Sequence, residues 1–394
     1  MKNVLLYYSF AFSLGGGEYL PLSFISALQK TCNLTVAVDL ACNFERSYAA
    51  FGEGLDIDRT KLKLVQVTPP SYDPKRHSGR TSLYRFRQLK RLARSADVCI
   101  STACIMDFGR PAHHFINMID FGDDDFTAFA LGGAGRARGG LLERARRFVS
   151  DGIVRPLLGM RSKRSIIRDR RQHIYPNSRF VEKLMTAYYG PFNSTMFYPP
   201  TLFEAHSDAS DEHDPLKVVY IGRIVPSKRI EELVEIVEKA RNLSGKDFTF
   251  HIAGRLDQTP AYGNKLESLA AERPWLKLCG ALYGDEKVRF LASGSYALHA
   301  ERDEAFGIAV AEYLVSGLIP IVPDEGGTTE IVSSGELAYR TPNVAANILA
   351  RLSADGSFRE RMRAHCAERA AHFTRGAYFA RQRELLVRIV SGEV

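Results

Sequence analysis

The sequence predicts an α/β protein of two doubly wound domains, each built on a parallel β-sheet, and three observations support this. The chain has 394 residues, whereas one domain usually holds about 100 to 200. Hydrophobic residues make up 45% and charged residues 25%, a balance typical of chains that fill globular cores. Short apolar runs alternate with helical patterns almost from end to end, which is typical of βαβ units around parallel sheets.

The first half of the chain contains short apolar runs that predict strands. They are Val4–Tyr8, Leu34–Val38, Leu62–Val67, Val98–Ser101, His114–Ile119 and His173–Tyr175. Residues 198–217 are rich in Pro, Ser, Asp and Glu, as a linker would be. A second series of strands then begins with KVVYIGRI and continues through Phe248–Ala253, Leu276–Cys279, Tyr296–Leu298 and Ile319–Val322.

These runs define the expected domains. We predict a first domain over residues 1–199 and a second over residues 200–373, facing each other across a cleft. Ligands of doubly wound sheets bind beyond the carboxyl ends of the strands, so both sheets are expected to present that edge to the cleft. Residues 374–394 are expected to provide a C-terminal helix that packs back on the first domain.

Composition and cysteine spacing exclude several classes of protein. The apolar run at residues 4–12 lacks the cleavage site of a secretory signal. No apolar run reaches the roughly 20 residues that span a bilayer. The six cysteines show neither CxxC pairs nor a Cys/His cluster, so structural zinc and a disulfide framework are not expected. We therefore expect a cytoplasmic protein without a nucleic acid partner.

Residues 136–171 are rich in arginine, in a chain whose formal net charge is +8. Their basic side chains surround apolar positions such as Leu141, Phe148 and Leu157. A basic amphipathic helix commonly lies on an anionic membrane surface, and a solvated helix face beside a phosphate site is the alternative. We predict peripheral binding to the inner face of the cytoplasmic membrane through this segment.

Two regions have the residue types that bind phosphate. The triglycine of SLGGGEYL, which includes Gly16 and Gly17, lies between a strand and a helix start, where free N–H groups favour an anion. Its spacing matches neither GxGxxG nor a Walker motif, and a flexible turn is the alternative. In VYIGRIVPSKR, Arg223 follows a strand and Lys228 precedes a helix. The planar guanidinium of Arg223 and the compact ammonium of Lys228 together suit a diphosphate. Two solvated side chains are the alternative.

Two carboxylates and a second glycine turn follow in the second half. In LHAERDEAFGIAVAE, Glu304 and Glu312 are eight positions apart, a little over two helical turns, so both can share one helix face. Such carboxylates readily accept hydrogen bonds from sugar or ribose hydroxyl groups. Gly326 and Gly327 in PDEGGTTEIV repeat the strand, glycine turn and helix, and their amides are expected to face a phosphate.

In order and spacing, GRIVPSKR, EAFGIAVAE and EGGTTEIV resemble the retaining GT-B glycosyltransferases of family 4. GGGE, NSRFVEKLMTAYYG and YPP in the first half are similar to the same family, so the resemblance covers nearly the whole chain. Within the family, the chain looks most like the cytosolic mannosyltransferases that extend lipid-linked oligosaccharides. The resemblance implies the GT-B fold, in which two Rossmann-like domains face each other across a cleft.

The resemblance implies which residues would hold the donor. Arg223 and Lys228 would bind the diphosphate, and Glu304 would accept hydrogen bonds from hydroxyl groups of the sugar. Glu312 would take the ribose hydroxyl groups. Three backbone amides would also reach the diphosphate or the sugar, those of Phe306, Gly307 and Ile308.

The resemblance also implies residues from the first domain. Gly16 and Gly17 would bring backbone N–H groups close to the phosphate or the acceptor, and a histidine of PAHHFINMIDF would lie near the reacting sugar. Side chains alternate along a strand, so at most one of His113 and His114 is expected to point into the cleft. A core or surface histidine is the alternative for either one.

The predicted function is retaining transfer of a hexose, with mannose favoured, to a hydroxyl group of a lipid-linked or anionic glycan acceptor. The donor is expected to be GDP-mannose or a UDP-sugar, and the mechanism a front-face one. A nucleotide-sugar 2-epimerase of the same fold and a non-catalytic glycan-binding scaffold are the alternatives. GT-B enzymes use side-chain cations in place of a metal, so no cofactor and no metal are expected, and Asp123–Asp125 of GDDDF is interpreted as a loop.

Overall fold

The computed structural model describes residues 1–8, 18–72, 79–102, 104–119, 124–130, 155–201, 214–256 and 260–394. The chain divides into two compact units. Unit 1 contains Met1–Pro199 and Phe379–Val394, and unit 2 contains Pro200–Tyr378. Several parts of the sequence predictions lie outside the described residues. They are Gly16, Gly17, Asp123, residues 136–154 of the predicted membrane segment and residues 202–213 of the predicted linker.

Unit 1 is built on a parallel sheet with six strands among the described residues, in the order β3-β2-β1-β4-β5-β6. The strands are β1 (Asn3–Tyr8), β2 (Asn33–Val38), β3 (Lys63–Gln66), β4 (Val98–Ser101), β5 (His113–Ile116) and β6 (His173–Pro176). The helices are α1 (Tyr19–Leu28), α2 (Ala41–Phe51), α3 (Gly79–Ala93), α4 (Asp124–Ala130), α5 (Arg155–Leu157), α6 (Lys163–Ile167) and α7 (Arg179–Tyr189). All but the first residue of β1 are buried, as expected for a parallel strand in a sheet whose two faces are both covered.

Unit 2 repeats this plan with the strand order β12-β11-β10-β7-β8-β9 in its described part. The strands are β7 (Lys217–Ile221), β8 (Thr249–Ala253), β9 (Leu276–Leu278), β10 (Tyr296–Leu298), β11 (Ile319–Pro323) and β12 (Ala338–Tyr339). The helices are α8 (Ile230–Ser244), α9 (Pro260–Ala271), α10 (Gly284–Ala292), α11 (Ile308–Val315), α12 (Thr328–Val332), α13 (Pro342–Ala354) and α14 (Gly356–Ala370). Short 3-10 turns lie at Pro226–Lys228 and Gly335–Leu337.

The last helix, α15 (Arg375–Ser391), belongs to unit 1 from Phe379 onward. The Gln382 side chain is buried and donates from Nε2 to Ser23 Oγ over 2.7 Å. Ser23 in turn donates to the Leu20 carbonyl oxygen over 2.7 Å, so these hydrogen bonds tie α15 to α1. Among the described residues, no helix has the length and apolar character needed to cross a membrane.

The predicted doubly wound α/β class is confirmed, with differences at particular elements. β5 ends at Ile116 rather than at Ile119. β12 was not predicted, because two residues are too short to show an apolar pattern. The interpretation of GDDDF as a loop is wrong from Asp124 onward, since helix α4 begins there.

The strand order of unit 2 reverses between β7 and β10, which pair directly through Val218 with Tyr296 and Val219 with Ala297. The connections that leave two such strands turn to opposite faces of the sheet and open a crevice beyond the carboxyl ends. Residues 222–229 follow β7, and residues 299–307 follow β10. The topology therefore brings these two segments to a ligand-binding position.

Candidate active site

The segment after β7 carries a lysine at the point where the strand order reverses. Beyond Ile221 the chain forms the 3-10 turn Pro226–Lys228, and Arg229 then redirects it into α8. Arg229 has a φ of +50°, a left-handed conformation that is uncommon for residues other than glycine. The Lys228 side chain is only 12% exposed, so its charge requires partners inside the unit.

Those partners are carboxylates from the segment after β10. Lys228 Nζ donates to Glu301 Oε2 and, over 2.5 Å, to Glu304 Oε2. His299 Nε2 lies 3.6 Å from the same Glu304 oxygen. Lys228, Glu301, Glu304 and His299 form the Lys228 cluster.

The carboxylates of the Lys228 cluster differ in their affinity for protons. Burial raises the pKa of Glu301, and the charge of Glu304 raises it further. Burial also opposes ionisation of Glu304, but the Lys228 ammonium outweighs it and the pKa of Glu304 falls to about 2. Burial likewise opposes the charged form of Lys228, yet the two carboxylates raise its pKa. Lys228 and Glu304 therefore form an ion pair of two charged groups, and Glu301 is the carboxylate with the raised pKa.

His299 is a buried histidine whose ring nitrogens have no hydrogen-bond partner among the described residues. It directly follows β10 and is 3% exposed. Its N–H donates to Ile321 over 3.1 Å, and its carbonyl oxygen accepts from Tyr339 Oη over 2.8 Å. Burial lowers the pKa of His299 to about 4, so the neutral imidazole offers one donor and one acceptor. Because an unsatisfied buried polar group costs about 1–3 kcal/mol, this ring is a candidate ligand contact.

The glycine pair Gly326 and Gly327 supports the segment that carries Glu304. Gly327 N donates to the Glu304 carbonyl oxygen over 2.8 Å, and a Cβ on Gly327 would lie 2.3 Å from the Ala305 carbonyl oxygen. Gly326 has a φ of +80°, and its Cβ would lie 2.4 Å from the Arg302 carbonyl oxygen. The prediction that both amides face a phosphate is therefore wrong for Gly327, whose amide is used within the protein. These glycines permit close backbone packing.

Arg302 anchors the same segment from its other side. Its guanidinium donates to both carboxylate oxygens of Glu232, over 3.0 and 3.2 Å. Its Nε also lies 3.2 Å from Glu325 Oε1. A bidentate pair fixes orientation as well as distance, so the residues on either side of Arg302 are held in position.

The other predicted donor contacts lie around the same strand ends. Arg223 is exposed, and its carbonyl oxygen accepts from Tyr220 Oη over 3.2 Å. Phe306 is buried, and Gly307 has a φ of +99° at the start of α11. The first amides of a helix, here beginning with Ile308, lack partners within the helix and are suited to an anion.

Glu312 lies on α11 and is buried. Its carboxylate lies 2.8 Å from Lys287 Nζ of α10. The prediction that Glu304 and Glu312 share a helix face is wrong, because Glu304 precedes the first residue of α11, Ile308. Lys287 was not predicted from the sequence, since nothing nearby in the sequence marks it as a partner of Glu312.

His113 and His114 occupy the first two positions of β5 in unit 1. His114 is fully buried, with Nδ1 accepting from the Met106 N–H over 3.4 Å and Nε2 3.1 Å from Gln172 Oε1. His113 is half-buried, and its Nδ1 lies 3.0 Å from Tyr175 Oη. Burial lowers the pKa of His113 to about 3 and that of His114 to about 4. His114 is thus a core histidine with both nitrogens occupied, and a catalytic role remains a prediction for His113 alone.

Sequence reasoning missed two members of the Lys228 cluster, His299 and Glu301. The available signal was the polar run HAERDE directly after a buried strand at a switch point. Together with Glu304, they place a histidine nitrogen and two carboxylate oxygens within 4.8 Å of one another. Such residue types can hold a metal ion, but the Lys228 ammonium already bonds to both carboxylates.

A separate cavity of about 570 Å³ lies at the other edge of the unit 1 sheet. It is lined by residues near the amino ends of β1, β2 and β3, among them Asn3, Asn33 and Lys63. Doubly wound sheets bind ligands beyond their carboxyl ends, so this cavity is not assigned to the candidate site.

Residues 203–372, which contain the whole Lys228 cluster, match the family described as glycosyl transferases group 1. The matched residues all lie in unit 2. The crystal structure of Anabaena HepE in complex with UDP and glucose matches 98% of this chain and 100% of that chain, with a TM-score of 0.66 and 14% identity. This likeness confirms the predicted GT-B fold.

Two curated relatives resemble parts of this chain. A GDP-mannose-dependent alpha-mannosyltransferase of Mycobacterium tuberculosis is 26% identical over 34% of this chain and 34% of its own length. The phosphatidylinositol N-acetylglucosaminyltransferase GPI3 subunit of Saccharomyces cerevisiae is 30% identical over 32% of this chain and 27% of its own length. Each match spans about a third of the relative or less.

We expect Gly326→Ala to destabilise unit 2. The added methyl group would lie 2.4 Å from the Arg302 carbonyl oxygen, at a φ of +80° that disfavours alanine. The expected loss is about 1–3 kcal/mol, read as a lower unfolding temperature in scanning calorimetry. Gly335→Ala is the matched control, since nothing lies within 4 Å of its added methyl group. Equal unfolding temperatures for the two variants would contradict close packing at Gly326.

Proposed function

We propose that this chain transfers a hexose from a nucleotide diphosphate sugar to a hydroxyl group of a lipid-linked or anionic glycan acceptor. The configuration at the anomeric carbon is retained. The observation that carries the proposal is the Lys228 ammonium, bonded to Glu301 and Glu304 beyond the carboxyl ends of β7 and β10. Lys228 suits the diphosphate and Glu304 suits the hexose. Their contact therefore matches the place where the diphosphate and the hexose of a donor are joined.

The donor diphosphate binds between the two cations that follow β7. Lys228 approaches it as a point charge, and the exposed Arg223 approaches it as a planar fork. Amides at the start of α11, among those of Phe306, Gly307 and Ile308, point hydrogen-bond donors toward the same group. Glu312 accepts hydrogen bonds from the ribose hydroxyl groups.

Glu304 accepts hydrogen bonds from hydroxyl groups of the donor hexose. The Lys228 ammonium keeps Glu304 ionised by lowering its pKa to about 2, and an ionised carboxylate is an acceptor only. The same ion pair makes Glu304 a poor nucleophile, because its charge is neutralised and its position is fixed. Its role is therefore to orient the sugar, which supports a mechanism without a glycosyl-enzyme intermediate.

The reaction follows a front-face route. The bond between the anomeric carbon and the diphosphate oxygen breaks, and the bond to the acceptor oxygen forms on the same face. The acceptor proton moves to an oxygen of the leaving diphosphate. Arg223 and Lys228 stabilise the negative charge that develops on that group, so catalysis depends on positioning and electrostatics rather than on a metal.

GDP-mannose is the first candidate donor, and a UDP-sugar is the second. A matched relative is described as GDP-mannose-dependent, whereas the HepE structure of the same fold contains UDP and glucose. The lipid-linked acceptor is supported by the relative whose name includes phosphatidylinositol. These names describe the relatives. A direct binding measurement identifies the donor of this chain.

Lys228→Ala and Glu304→Ala are each expected to lower turnover by about a hundredfold or more, a loss typical of transition-state contacts. Donors are first ranked by the unfolding temperature of the wild-type chain with GDP-mannose, UDP-glucose and other nucleotide sugars. Transfer to a lipid-linked glycan is then measured by chromatography of the labelled product. The matched control is Lys239→Ala, which breaks an exposed ion pair with Glu235 on α8.

Near wild-type transfer by either variant would overturn the proposed roles. Formation of an epimerised nucleotide sugar from donor alone would indicate a 2-epimerase instead. A wild-type chain that binds no nucleotide would favour a glycan-binding scaffold. Transfer is expected to continue undiminished in excess EDTA, and its abolition would contradict metal independence.

We also propose that residues 136–171 bind the anionic inner face of the cytoplasmic membrane. In the described part of this segment, Leu157 is 81% exposed and Leu158 is 41% exposed. Exposed leucines beside a run of arginines suit the boundary between lipid headgroups and acyl chains. Such binding would bring the enzyme to a lipid-linked acceptor.

Charge reversal of Arg144, Arg146 and Arg147 to glutamate is expected to weaken binding to anionic vesicles by at least about tenfold, at roughly 1 kcal/mol per basic residue. Sedimentation with vesicles of phosphatidylglycerol and phosphatidylcholine measures the change. The matched control reverses three arginines of unit 2, Arg351, Arg361 and Arg363, and so alters the net charge by the same amount. Equal effects of the two triple variants would contradict a specific membrane segment.

A further inference from the structure

We propose that His299 hydrogen bonds a hydroxyl group of the donor hexose, beside the hydroxyl group that binds Glu304, and so positions the sugar. This inference rests on the proposed function, because it adds a sugar contact to the same donor site. His299 is then a donor-binding residue in addition to Arg223, Lys228 and Glu304.

The first support is that the His299 ring is buried without a partner. It is 3% exposed, and neither Nδ1 nor Nε2 has a hydrogen-bond partner among the described residues. Buried polar atoms in native proteins are nearly always paired, and an exception calls for an explanation such as a catalytic or ligand role. The ring therefore points to a ligand rather than to the stability of the free protein.

The second support is the position of the ring. His299 Nε2 lies 3.6 Å from Glu304 Oε2, which is too long for a hydrogen bond. Both atoms can nevertheless contact one small polar group or two neighbouring ones. Adjacent hydroxyl groups of a hexose meet this requirement, since each is both a donor and an acceptor.

The third support is the complementary chemistry of the two side chains. Ionised Glu304 only accepts hydrogen bonds, whereas a neutral imidazole donates from one nitrogen and accepts at the other. Burial lowers the pKa of His299 to about 4, so the ring is neutral at pH 7. A site that must bind uncharged hydroxyl groups needs such a mixture of donors and acceptors.

The charges of the Lys228 cluster disfavour a diphosphate or a metal ion as the ligand of His299. A diphosphate beside His299 would gain no cation from the neutral ring, so the ring contributes nothing specific to the binding of that group. A divalent metal ion held by His299, Glu301 and Glu304 would have to displace the Lys228 ammonium, which bonds to both carboxylates. The hexose is the part of the donor that satisfies the ring without either cost.

Backbone hydrogen bonds fix the position of His299. The N–H and the carbonyl oxygen are both hydrogen bonded, to Ile321 of β11 and to Tyr339 Oη. A substitution at this position therefore changes the side chain while these backbone contacts can persist. His299→Asn retains a donor and an acceptor on a shorter side chain, and His299→Ala removes both.

The test compares binding of nucleoside diphosphates and nucleotide sugars to the full chain. Calorimetry measures Kd for GDP, GDP-mannose, UDP and UDP-glucose with wild type, His299→Ala and His299→Asn. The matched control is His251→Ala, which alters a half-buried histidine on β8 of the same unit. Scanning calorimetry of each free variant verifies that unit 2 remains folded.

We expect His299→Ala to weaken binding of the preferred nucleotide sugar by about tenfold, the effect of one lost hydrogen bond. Binding of the matching nucleoside diphosphate is expected to change by less than about twofold, because that ligand lacks the sugar. His299→Asn is expected to recover part of the loss. His251→Ala is expected to alter neither affinity.

Equal weakening of nucleoside diphosphate and nucleotide sugar would overturn the inference, since His299 would then support the nucleotide part or the fold. Unchanged affinity for the nucleotide sugar would overturn it as well. Binding of the sugar donor that requires Mg²⁺ or Mn²⁺ and disappears in EDTA would point to a metal site at His299. Failure of the wild-type chain to bind any of the four ligands would instead contradict the proposed function, and it is seen before any variant is compared.

Discussion

The ion pair of Lys228 with Glu301 and Glu304 is the interaction on which the candidate site depends. Two carboxylates repel one another at close range, and burial makes that repulsion stronger. The Lys228 ammonium permits their approach by bonding to both. The proposed diphosphate would bring further negative charge to the same ammonium and would compete with the carboxylates for Lys228. In the free protein the Lys228 ammonium is therefore already in position, and Glu304 is ionised beside it.

The fold maintains this ion pair through contacts outside the Lys228 cluster. The reversal of strand order between β7 and β10 brings their two following segments together. Gly327 donates its amide to the Glu304 carbonyl oxygen, and Arg302 forms a bidentate pair with Glu232. Buried charges are stable only where their surroundings fix the geometry. The glycine turn and the arginine therefore serve the site by immobilising the backbone between His299 and Gly307.

The sequence predicted the doubly wound sheets well, because buried parallel strands appear as short apolar runs. It also predicted that Lys228 and Glu304 act in one site, through the resemblance of their motifs. It did not predict Glu301 or His299, because pairing across a sheet depends on strand order and leaves no local pattern. His114 was a candidate that the structure corrects to a core histidine, since both of its ring nitrogens have internal partners.

The most direct test of the central claim is the number of protons taken up when a nucleoside diphosphate binds. Calorimetry at pH 7 in buffers of different ionisation enthalpy measures this number for wild type and for Glu301→Gln. If the diphosphate draws the Lys228 ammonium away from Glu301, the already raised pKa of Glu301 rises further and its carboxylate takes up a proton. We predict that wild type takes up more protons than Glu301→Gln. Equal proton uptake by the two proteins would contradict a change of partner of the Lys228 ammonium from Glu301 to the phosphate.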